Sequence, residues 1–334
     1  MKNQLLNRLC ALLFAPVIFS AIFISCKKSS HSPTTLSSVR TAYWTGMEGL
    51  DGGIVFRGTT KQDGTTKIDT LYSTADGVYV PFSVVVDGTR GLVYWINYKD
   101  GAEIKRATTD GSGSVSTVHT FGKGADWCTE MALDVKHNVL YVAYEFYDPA
   151  DPVTIVKEEI ASLDLNTPGA QLVTLYTVPG PERNIISDIK LDTVDKKIYW
   201  VESEGGKIRQ GSLDGTQTAV TLFTKADGVL KVPFRIAIDP GRGKLYINDN
   251  VSIGRHRIYL GDIDGGGSLT SLIEEGVPNN GGVLDMEVDL SRGFLYWMNS
   301  IDDGAIRRMK LDGSGAETVY SNIHMGNYMD IDLR

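Results

Sequence analysis

The chain has 334 residues and a formal net charge of −8 at pH 7. An acidic chain without clustered Lys and Arg is unsuited to nucleic acid, because contacts to phosphates need such clusters. With 36 glycines and three cysteines, the composition also disfavours a helical repeat and a disulfide-rich scaffold.

The first 25 residues have the composition of a secretory leader. A basic start is followed by an apolar run from Leu9 to Ser25, which ends in Phe23-Ile24-Ser25-Cys26. This ending resembles a bacterial lipobox, where the leader is removed and the new N-terminal Cys26 is acylated. We therefore predict a lipoprotein with signal peptide 1–25. The alternative is an ordinary leader or an uncleaved anchor in which Cys26 is incidental.

Residues 26–40 are rich in Ser, Thr and Lys and predict a flexible, lipid-anchored tether. By the same resemblance to bacterial lipoproteins, Lys27 directly after Cys26 favours the outer membrane of a cell envelope. These residues leave open whether the domain faces the periplasm or the outside. Residues 41–334 are predicted to form one domain, expected to be monomeric.

One pattern recurs throughout this domain: apolar, any residue, apolar, Asp, a short polar turn, and then apolar-Tyr-Trp or a close variant. The Asp and Tyr of the five full copies are Asp87 and Tyr94, Asp134 and Tyr141, Asp192 and Tyr199, Asp239 and Tyr246, and Asp289 and Tyr296. A sixth copy is split between Tyr43-Trp44 and the closing Met329-Asp330-Ile331-Asp332. A period of about 50 residues with several short strands is typical of a β-propeller. The split copy predicts a ring in which the C-terminal strand pairs with the N-terminal blade.

Each unit is predicted to contain four antiparallel strands. The first is the apolar-x-apolar-Asp run and the second carries Tyr-Trp, while an Asp-Gly turn such as Asp110-Gly111 joins the third to the fourth. The first two strands are apolar on both faces, which fits blades packed between neighbouring blades. The Tyr-Trp pairs are therefore assigned to inter-blade packing and the recurring Asp to turn capping.

These units resemble the YWTD repeat of the low-density-lipoprotein-receptor class B family. The residues that carry the resemblance are Tyr43-Trp44-Thr45-Gly46, Tyr94-Trp95-Ile96-Asn97, Tyr199-Trp200-Val201-Glu202, Tyr246-Ile247-Asn248-Asp249 and Tyr296-Trp297-Met298-Asn299. The resemblance implies an all-β, six-bladed propeller of four-stranded antiparallel blades, in a family whose propellers bind proteins. Asp249 alone keeps the fourth-position Asp of the repeat, so the contacts of that Asp are not implied in the other blades.

Binding is assigned to the face that carries the connections into each first strand and between the second and third strands. Its connections are unequal in length and include Met47 to Gly53, Tyr98 to Gly101, Glu145 to Pro152 and Asn250 to Arg257. Four aromatic residues there are candidate anchors for a protein or glycan: Trp127, Tyr98, Phe146 and Tyr147. The alternative is that Trp127 and Phe146 close the ends of the core.

One position in the repeat converges on the propeller axis. Four residues before each recurring Asp stand Ser83, Glu130, Asp188, Arg235, Asp285 and Tyr328. Arg235 and Tyr328 are candidate binding residues. Glu130, Asp188 and Asp285 are candidate oxygen ligands for Ca²⁺ or another hard divalent ion, as in six-bladed lactonases. The alternative is a polar channel mouth with internal ion pairs to Arg235.

Two functions follow from these patterns. The leading one is a non-enzymatic, membrane-anchored binding or scaffold module without a cofactor. The competing one is a metal-dependent hydrolase or lactonase with a divalent ion at the channel mouth. Cys128 would be the only free thiol of the mature chain, and its sequence context favours a small buried side chain over a catalytic nucleophile.

Overall fold

The fold was analysed in a computed structural model. It describes residues 41–332 except 62, 123–124, 181–184, 253, 277–281, 300–303 and 324–325. The predicted signal peptide, Cys26 and the tether lie outside the described residues. Within the described part, no helix has the length and apolar character needed to cross a bilayer.

The strands form six four-stranded antiparallel sheets, here called blades 1 to 6. Blade 1 begins with β1 (Ala42–Glu48), β2 (Gly52–Thr60) and β3 (Thr66–Tyr72); blade 2 holds β4 (Phe82–Asp87), β5 (Leu92–Tyr98), β6 (Ala102–Thr108) and β7 (Ser116–Thr120); blade 3 holds β8 (Ala125–Asp134), β9 (Val139–Asp148), β10 (Asp151–Asp164) and β11 (Val173–Pro179).

The second half of the ring repeats this arrangement. Blade 4 holds β12 (Ile186–Asp192), β13 (Lys197–Glu202), β14 (Lys207–Ser212) and β15 (Val220–Thr224); blade 5 holds β16 (Pro233–Asp239), β17 (Lys244–Ser252), β18 (Arg255–Asp262) and β19 (Thr270–Gly276); blade 6 holds β20 (Val283–Asp289), β21 (Phe294–Asn299), β22 (Ala305–Lys310) and β23 (Glu317–Ser321). The last strand, β24 (Gly326–Ile331), returns to blade 1.

The ring is closed by strand pairing, as the split repeat predicts. β24 is the innermost strand of blade 1, in the order β24-β1-β2-β3. Ala42 pairs with Ile331 and Trp44 with Met329. Each blade thus presents one innermost strand to the axis, and the all-β, six-bladed prediction is confirmed.

Packing between blades depends on the second strand of each unit. Trp44, Trp95, Trp200 and Trp297 are all fully buried. The ring of Trp44 lies 5.8 Å from that of Tyr320 in blade 6, and the ring of Trp95 lies 5.9 Å from that of Tyr72 in blade 1. These tryptophans therefore pack against the preceding blade, as predicted.

The recurring Asp ends the innermost strand and caps the turn that follows. Asp87 Oδ1 accepts the Arg90 N–H at 2.9 Å, and Asp239 Oδ1 accepts the Arg242 N–H at 3.0 Å. The same contact recurs in blades 3, 4 and 6. These turns lie on what we call the lower face; the opposite end of the blades is the upper face.

The upper face differs from its prediction in one respect. The segment from Glu145 to Pro152 was predicted to be a connection between strands, yet β9 continues to Asp148 and β10 begins at Asp151. Likewise β17 continues to Ser252 and β18 begins at Arg255. The extra residues therefore lengthen hairpins, because the added backbone satisfies its hydrogen bonds by further strand pairing.

Candidate functional site

Four of the six predicted axial residues are joined by direct contacts near the upper end of the central channel. The Glu130 carboxylate accepts hydrogen bonds from Ser83 Oγ and from Arg235 Nη1, the latter at 2.9 Å. The guanidinium carbon of Arg235 lies 4.8 Å from the centre of the Tyr328 ring. Residues from blades 1, 2, 3 and 5 thus meet at the axis.

A second layer of axial residues lies one step lower and was missed by the sequence reasoning. It occupies the variable position two residues before each recurring Asp: Val85, Ala132, Lys190, Ala237, Glu287 and Asp330. Lys190 Nζ pairs with Glu287 and lies 3.7 Å from Asp188 Oδ1 and 3.8 Å from Asp285 Oδ1. The signal that could have found this layer is the two-residue period of a strand, which points both positions inward.

The axial carboxylates also join neighbouring blades. Asp188 accepts the Ile236 N–H at 2.7 Å. Asp285 accepts the Met329 N–H at 2.9 Å, and Asp330 accepts the Val86 N–H at 2.7 Å. Each of these bonds runs from one innermost strand to the next, so the acids stabilise the ring itself.

Burial shifts the protonation of this cluster. The two layers carry five carboxyl groups, on Glu130, Asp188, Asp285, Glu287 and Asp330, against the two cations Arg235 and Lys190. Burial raises the pKa of Glu130 and of Glu287 to about 8. Burial also raises the pKa of Asp188 and of Asp330 to about 6. Because removal from water disfavours the charged form, some of these groups hold protons at neutral pH.

The donor set does not favour the predicted axial metal. The oxygens of Glu130, Asp188 and Asp285 face Arg235, Lys190 and backbone amides. Among the described residues, no three or more His, Cys, Asp or Glu side chains are arranged to hold a metal ion. The divalent ion therefore stays a prediction from sequence.

Above the acids, aromatic rings surround the channel mouth. Trp127 is half-buried and stacks on Tyr98 at 4.6 Å between ring centres. Phe82 lies 5.0 Å from Trp127 and 5.7 Å from Tyr328. On the other side, the Arg235 guanidinium lies 4.5 Å from the Phe234 ring. We call these residues, Phe82, Tyr98, Trp127, Phe234, Arg235 and Tyr328, the aromatic mouth.

The aromatic mouth brings together four of the six predicted binding residues: Tyr98, Trp127, Arg235 and Tyr328. Tyr98 and Arg235 are buried at 4% and 2% exposure, so they support the surface from below. Phe82 and Phe234 were missed, although each directly precedes an axial residue in the repeat. Trp127, Tyr328, Phe82 and Phe234 supply its half-buried rings.

Phe146 and Tyr147 lie on the extended end of β9. The Phe146 ring contacts Tyr144 at 5.2 Å, and Lys157 Nζ lies 4.0 Å from its centre. The Tyr147 hydroxyl donates to Glu145. Both side chains are half-buried, so they extend the upper surface at blade 3.

Cys128 is fully buried, and its backbone contacts the side chain of Tyr98. The Tyr98 hydroxyl donates to the Cys128 carbonyl at 2.6 Å and accepts the Cys128 N–H. Burial raises the pKa of the Cys128 thiol well above its usual range, which suppresses the reactive thiolate. This environment fits the predicted structural role.

Comparison with known proteins supports the resemblance to YWTD propellers. No protein-family model matches the chain. The chain is 29% identical over 172 residues to low-density lipoprotein receptor-related protein 1 of Pyricularia oryzae, covering 48% of this chain and 52% of that protein. It is 32% identical over 111 residues to low-density lipoprotein receptor-related protein 5 of Mus musculus, covering 32% of this chain and 6% of that protein. The chain therefore matches only about half, or far less, of the length of these relatives.

Solved structures share the fold. A chain of the nidogen/laminin complex superposes with a TM-score of 0.65 at 15% identity, covering 87% of this chain and 97% of that one. A 6-phosphogluconolactonase-like protein from Bacteroides fragilis gives a TM-score of 0.55 at 12% identity, covering 90% and 100%. The predicted resemblance to YWTD propellers is confirmed. The lipoprotein part of that prediction stays a prediction.

Proposed function

We propose that the protein is a membrane-anchored binding module that holds a protein or glycan partner on its upper face. The observation that carries this proposal is the aromatic mouth, where half-buried rings from blades 1, 2, 3 and 5 form one surface at the axis. Aromatic side chains that are only partly buried provide large, rigid contact area for proteins and for sugar rings. The sequence similarity to lipoprotein-receptor-related proteins and the fold shared with a chain of the nidogen/laminin complex support a binding role.

The path of the chain supports an outward orientation of this surface. Thr41 and Asp332 are hydrogen-bonded at the lower face, where the Asp332 N–H donates to the Thr41 carbonyl at 2.9 Å. The predicted tether 26–40 would therefore leave from the lower face. We propose that Cys26 is acylated and anchors the protein to the outer membrane of a bacterial envelope. In that arrangement the aromatic mouth would point away from the lipid.

Site-directed photo-crosslinking in intact cells tests the proposal. A benzoylphenylalanine placed at Phe82 or at Trp127 is expected to capture a partner. The same residue at Val194, which is 86% exposed on the lower face, provides the matched control. Crosslinks of equal yield and identity from both faces would contradict the assignment.

A second experiment tests whether the aromatic rings of the mouth provide the affinity for the partner. Trp127→Ala is expected to reduce capture through position 82 by at least tenfold, since buried aromatic anchors dominate interface energies. Leu50→Ala removes apolar surface that is 69% exposed on the same face and is expected to leave capture unchanged. Normal capture by Trp127→Ala would argue against the aromatic mouth as the binding surface.

A further inference from the structure

We propose that the interface between blades 5 and 6 contains a buried hydration site, in which Asn248 and His256 bind one or more water molecules. The site goes beyond the proposed function, because it lies inside the ring and not on the upper surface. Its neighbours are Ile273 and Glu275 of blade 5 and Trp297 and Arg307 of blade 6. These six residues are called the polar seam below.

Asn248 departs from the pattern of the second strands. It pairs with Ile258 on β18, which packs in one cluster with Trp297 of blade 6, so Asn248 faces that blade. Strand pairing identifies the same position in the other blades. Four of those five side chains are apolar and one is a threonine: Ile96, Ala143, Val201, Met298 and Thr45. Blade 5 alone therefore places a carboxamide at this point.

His256 departs from the pattern of the third strands. It stands two residues before Ile258, so both side chains point to the same face of the sheet, towards blade 6. The equivalent residue is glycine or alanine in four other blades, namely Gly53, Ala102, Gly206 and Gly304. In blade 3 it is Glu158, whose carboxylate accepts the Ile186 N–H of the next blade. The imidazole of His256 thus occupies a place that is elsewhere small or hydrogen-bonded.

The fourth strand of blade 5 lacks a ring at the polar seam. Ile273 pairs with Ile258, at a position where the other blades have Tyr72, His119, Tyr176, Phe223 and Tyr320. The three tyrosine rings lie 5.0 to 5.9 Å from a tryptophan ring of the following blade. Isoleucine fills less space than tyrosine, and one water molecule needs only about 30 Å³. The exchange therefore favours water over a larger ligand.

The polar atoms of Asn248 and His256 have no protein partners. Asn248 is fully buried and His256 is 1% exposed. Both amide atoms of Asn248 and both ring nitrogens of His256 lack a hydrogen bond among the described residues. Native proteins leave few buried polar atoms unpaired, and bound water is the usual partner where the protein supplies none. Two adjacent side chains with four such atoms indicate a hydrated site.

Glu275 connects this site to blade 6. His256 Nε2 lies 3.5 Å from Glu275 Oε2, and that oxygen is itself buried without a hydrogen bond in the part of the chain that the structure describes. The other carboxylate oxygen of Glu275 accepts a hydrogen bond from Arg307 Nη1 of blade 6. A water molecule bonded to His256 and to Glu275 would complete this contact. The two blades would then be joined partly through water.

The chemistry of the unpaired atoms selects water over an ion. The amide of Asn248 offers both a donor and an acceptor, and a neutral imidazole offers one of each. A metal ion would accept only the acceptor atoms, and the described residues contain no group of three or more His, Cys, Asp or Glu side chains arranged to hold one. The Glu275 carboxylate disfavours an anion. Water donates and accepts equally well.

Two measurements on the full chain test the site. Crystallography at a resolution where ordered water is visible should show at least one water peak within hydrogen-bond distance of Asn248 and His256. Relaxation dispersion of the solvent NMR signal detects long-lived internal water in solution and needs no crystal. It should give a larger amplitude for the wild type than for variants that lack the site.

Variants that copy other blades should remove the water. Asn248→Val/His256→Ala introduces the residue types of Val201 in blade 4 and Ala102 in blade 2. This double variant is expected to lose the peak and at least one long-lived water molecule. Ile273→Tyr introduces the ring of blades 1, 3 and 6 and is expected to displace the water while both polar side chains remain.

A matched control makes the same loss of a ring at an apolar interface. Phe223→Ile in blade 4 removes a ring where the neighbouring positions are Val201 and Gly206. Because an apolar cavity stays dry, this variant is expected to gain no ordered water. Its relaxation-dispersion amplitude should equal that of the wild type.

Four results would overturn the hydration site. They are the absence of a peak at Asn248 and His256 in crystals that show other buried water, a peak identified as an ion, unchanged water in Asn248→Val/His256→Ala, and an equal gain of water in Phe223→Ile. If the double variant fails to fold, Ile273→Tyr replaces it, and unchanged water in that variant counts equally against the site.

Discussion

Carboxylates at the two ends of the blades have opposite properties. In the lower turns, hydrogen bonds from Thr108 and Ser112 lower the pKa of Asp110 to about 2, and those from Ser212 and Thr216 do the same for Asp214. Towards the upper end, burial raises the pKa of Glu130 to about 8 and that of Glu158 to about 9. Asp110 and Asp214 are thus solvated and ionised, whereas Glu130 and Glu158 are buried and prone to protonation.

The difference shows that the lower end of the propeller repeats the same kind of local contact in each blade. Each lower turn uses local bonds between neighbouring residues, so any blade can satisfy its own Asp. The upper acids depend on partners from other blades, such as Glu130 of blade 3 on Arg235 of blade 5. Function is more readily carried by the end whose groups are not locally satisfied.

Removing β24 should have the largest effect on stability, because this strand contributes to the aromatic mouth, to the channel and to the core. It supplies Tyr328 to the aromatic mouth and Asp330 to the channel, while Met329 and Ile331 are buried at 1% and 4% exposure. Burial of two such side chains contributes about 3–6 kcal/mol, and the pairing with β1 adds to this. A chain ending at residue 325 is expected to lose its cooperative unfolding transition. A wild-type melting curve from this truncation would contradict ring closure.

Two arginines of blade 5 allow a direct comparison of the ion pairs at the upper and lower ends. Arg235 is 2% exposed and pairs with Glu130, whereas the Arg242 side chain is 61% exposed and pairs with Asp239. Arg235→Met should lower the free energy of unfolding by about 3–5 kcal/mol, since it leaves a buried acid unpaired. Arg242→Met should cost less than about 1 kcal/mol. Urea unfolding measures both, and equal losses would erase the proposed distinction.

Stability should also depend on pH in two separate windows. Because the pKa of Glu130, Glu158 and Glu287 is raised from an ordinary value of 4.5 to about 8 or 9, the folded state binds more protons than the unfolded state. Their contribution is complete below pH 4.5 and is lost as pH rises through 8 to 9. Each group can change the slope by up to about 1.4 kcal/mol per pH unit.

The lower acids act in the other direction. Asp110 and Asp214 have lowered pKa values, so their contribution is present above pH 4 and is lost as pH falls towards 2. Thermal unfolding from pH 3 to pH 9 should therefore show a maximum near pH 4 to 5. Glu287→Gln should flatten the alkaline decline but not the acid one, while the exposed control Asp51→Asn should change neither. A maximum at pH 8 or above would show that the buried acids are not protonated as inferred.

The sequence predicted those features that repeat and missed those that break the repeat. Ring closure, the turn-capping Asp and the upper axial layer follow from positions that recur in every unit. The second axial layer was missed because Val85, Ala132 and Ala237 conceal the charged members Lys190, Glu287 and Asp330 at the same position. Only the strand period, applied position by position, would have shown them.

The pairing of Glu145 with Glu158 and the extended hairpin of blade 3 could not be derived from the repeat at all. Glu145 on β9 and Glu158 on β10 are direct cross-strand partners. Their register depends on where the turn at residues 149–150 lies, which the proline-containing segment did not specify. Likewise, Phe82 and Phe234 become part of the aromatic mouth only because blades 1, 2, 3 and 5 meet around the axis. Contacts between distant units depend on the closed ring and not on local sequence.

The smallest predicted effect concerns a single lower turn. Asp239 caps the 3₁₀ turn Pro240–Arg242 through its bond to the Arg242 N–H. Asp239→Ala should lower the free energy of unfolding by about 1 kcal/mol, the usual worth of such a cap. Asp239→Asn keeps the acceptor oxygen and loses only the exposed ion pair, so it should retain most of the stability. If the Asn variant were as destabilised as the Ala variant, charge and not capping would explain the Asp of this turn, and the local character of the lower face would need revision.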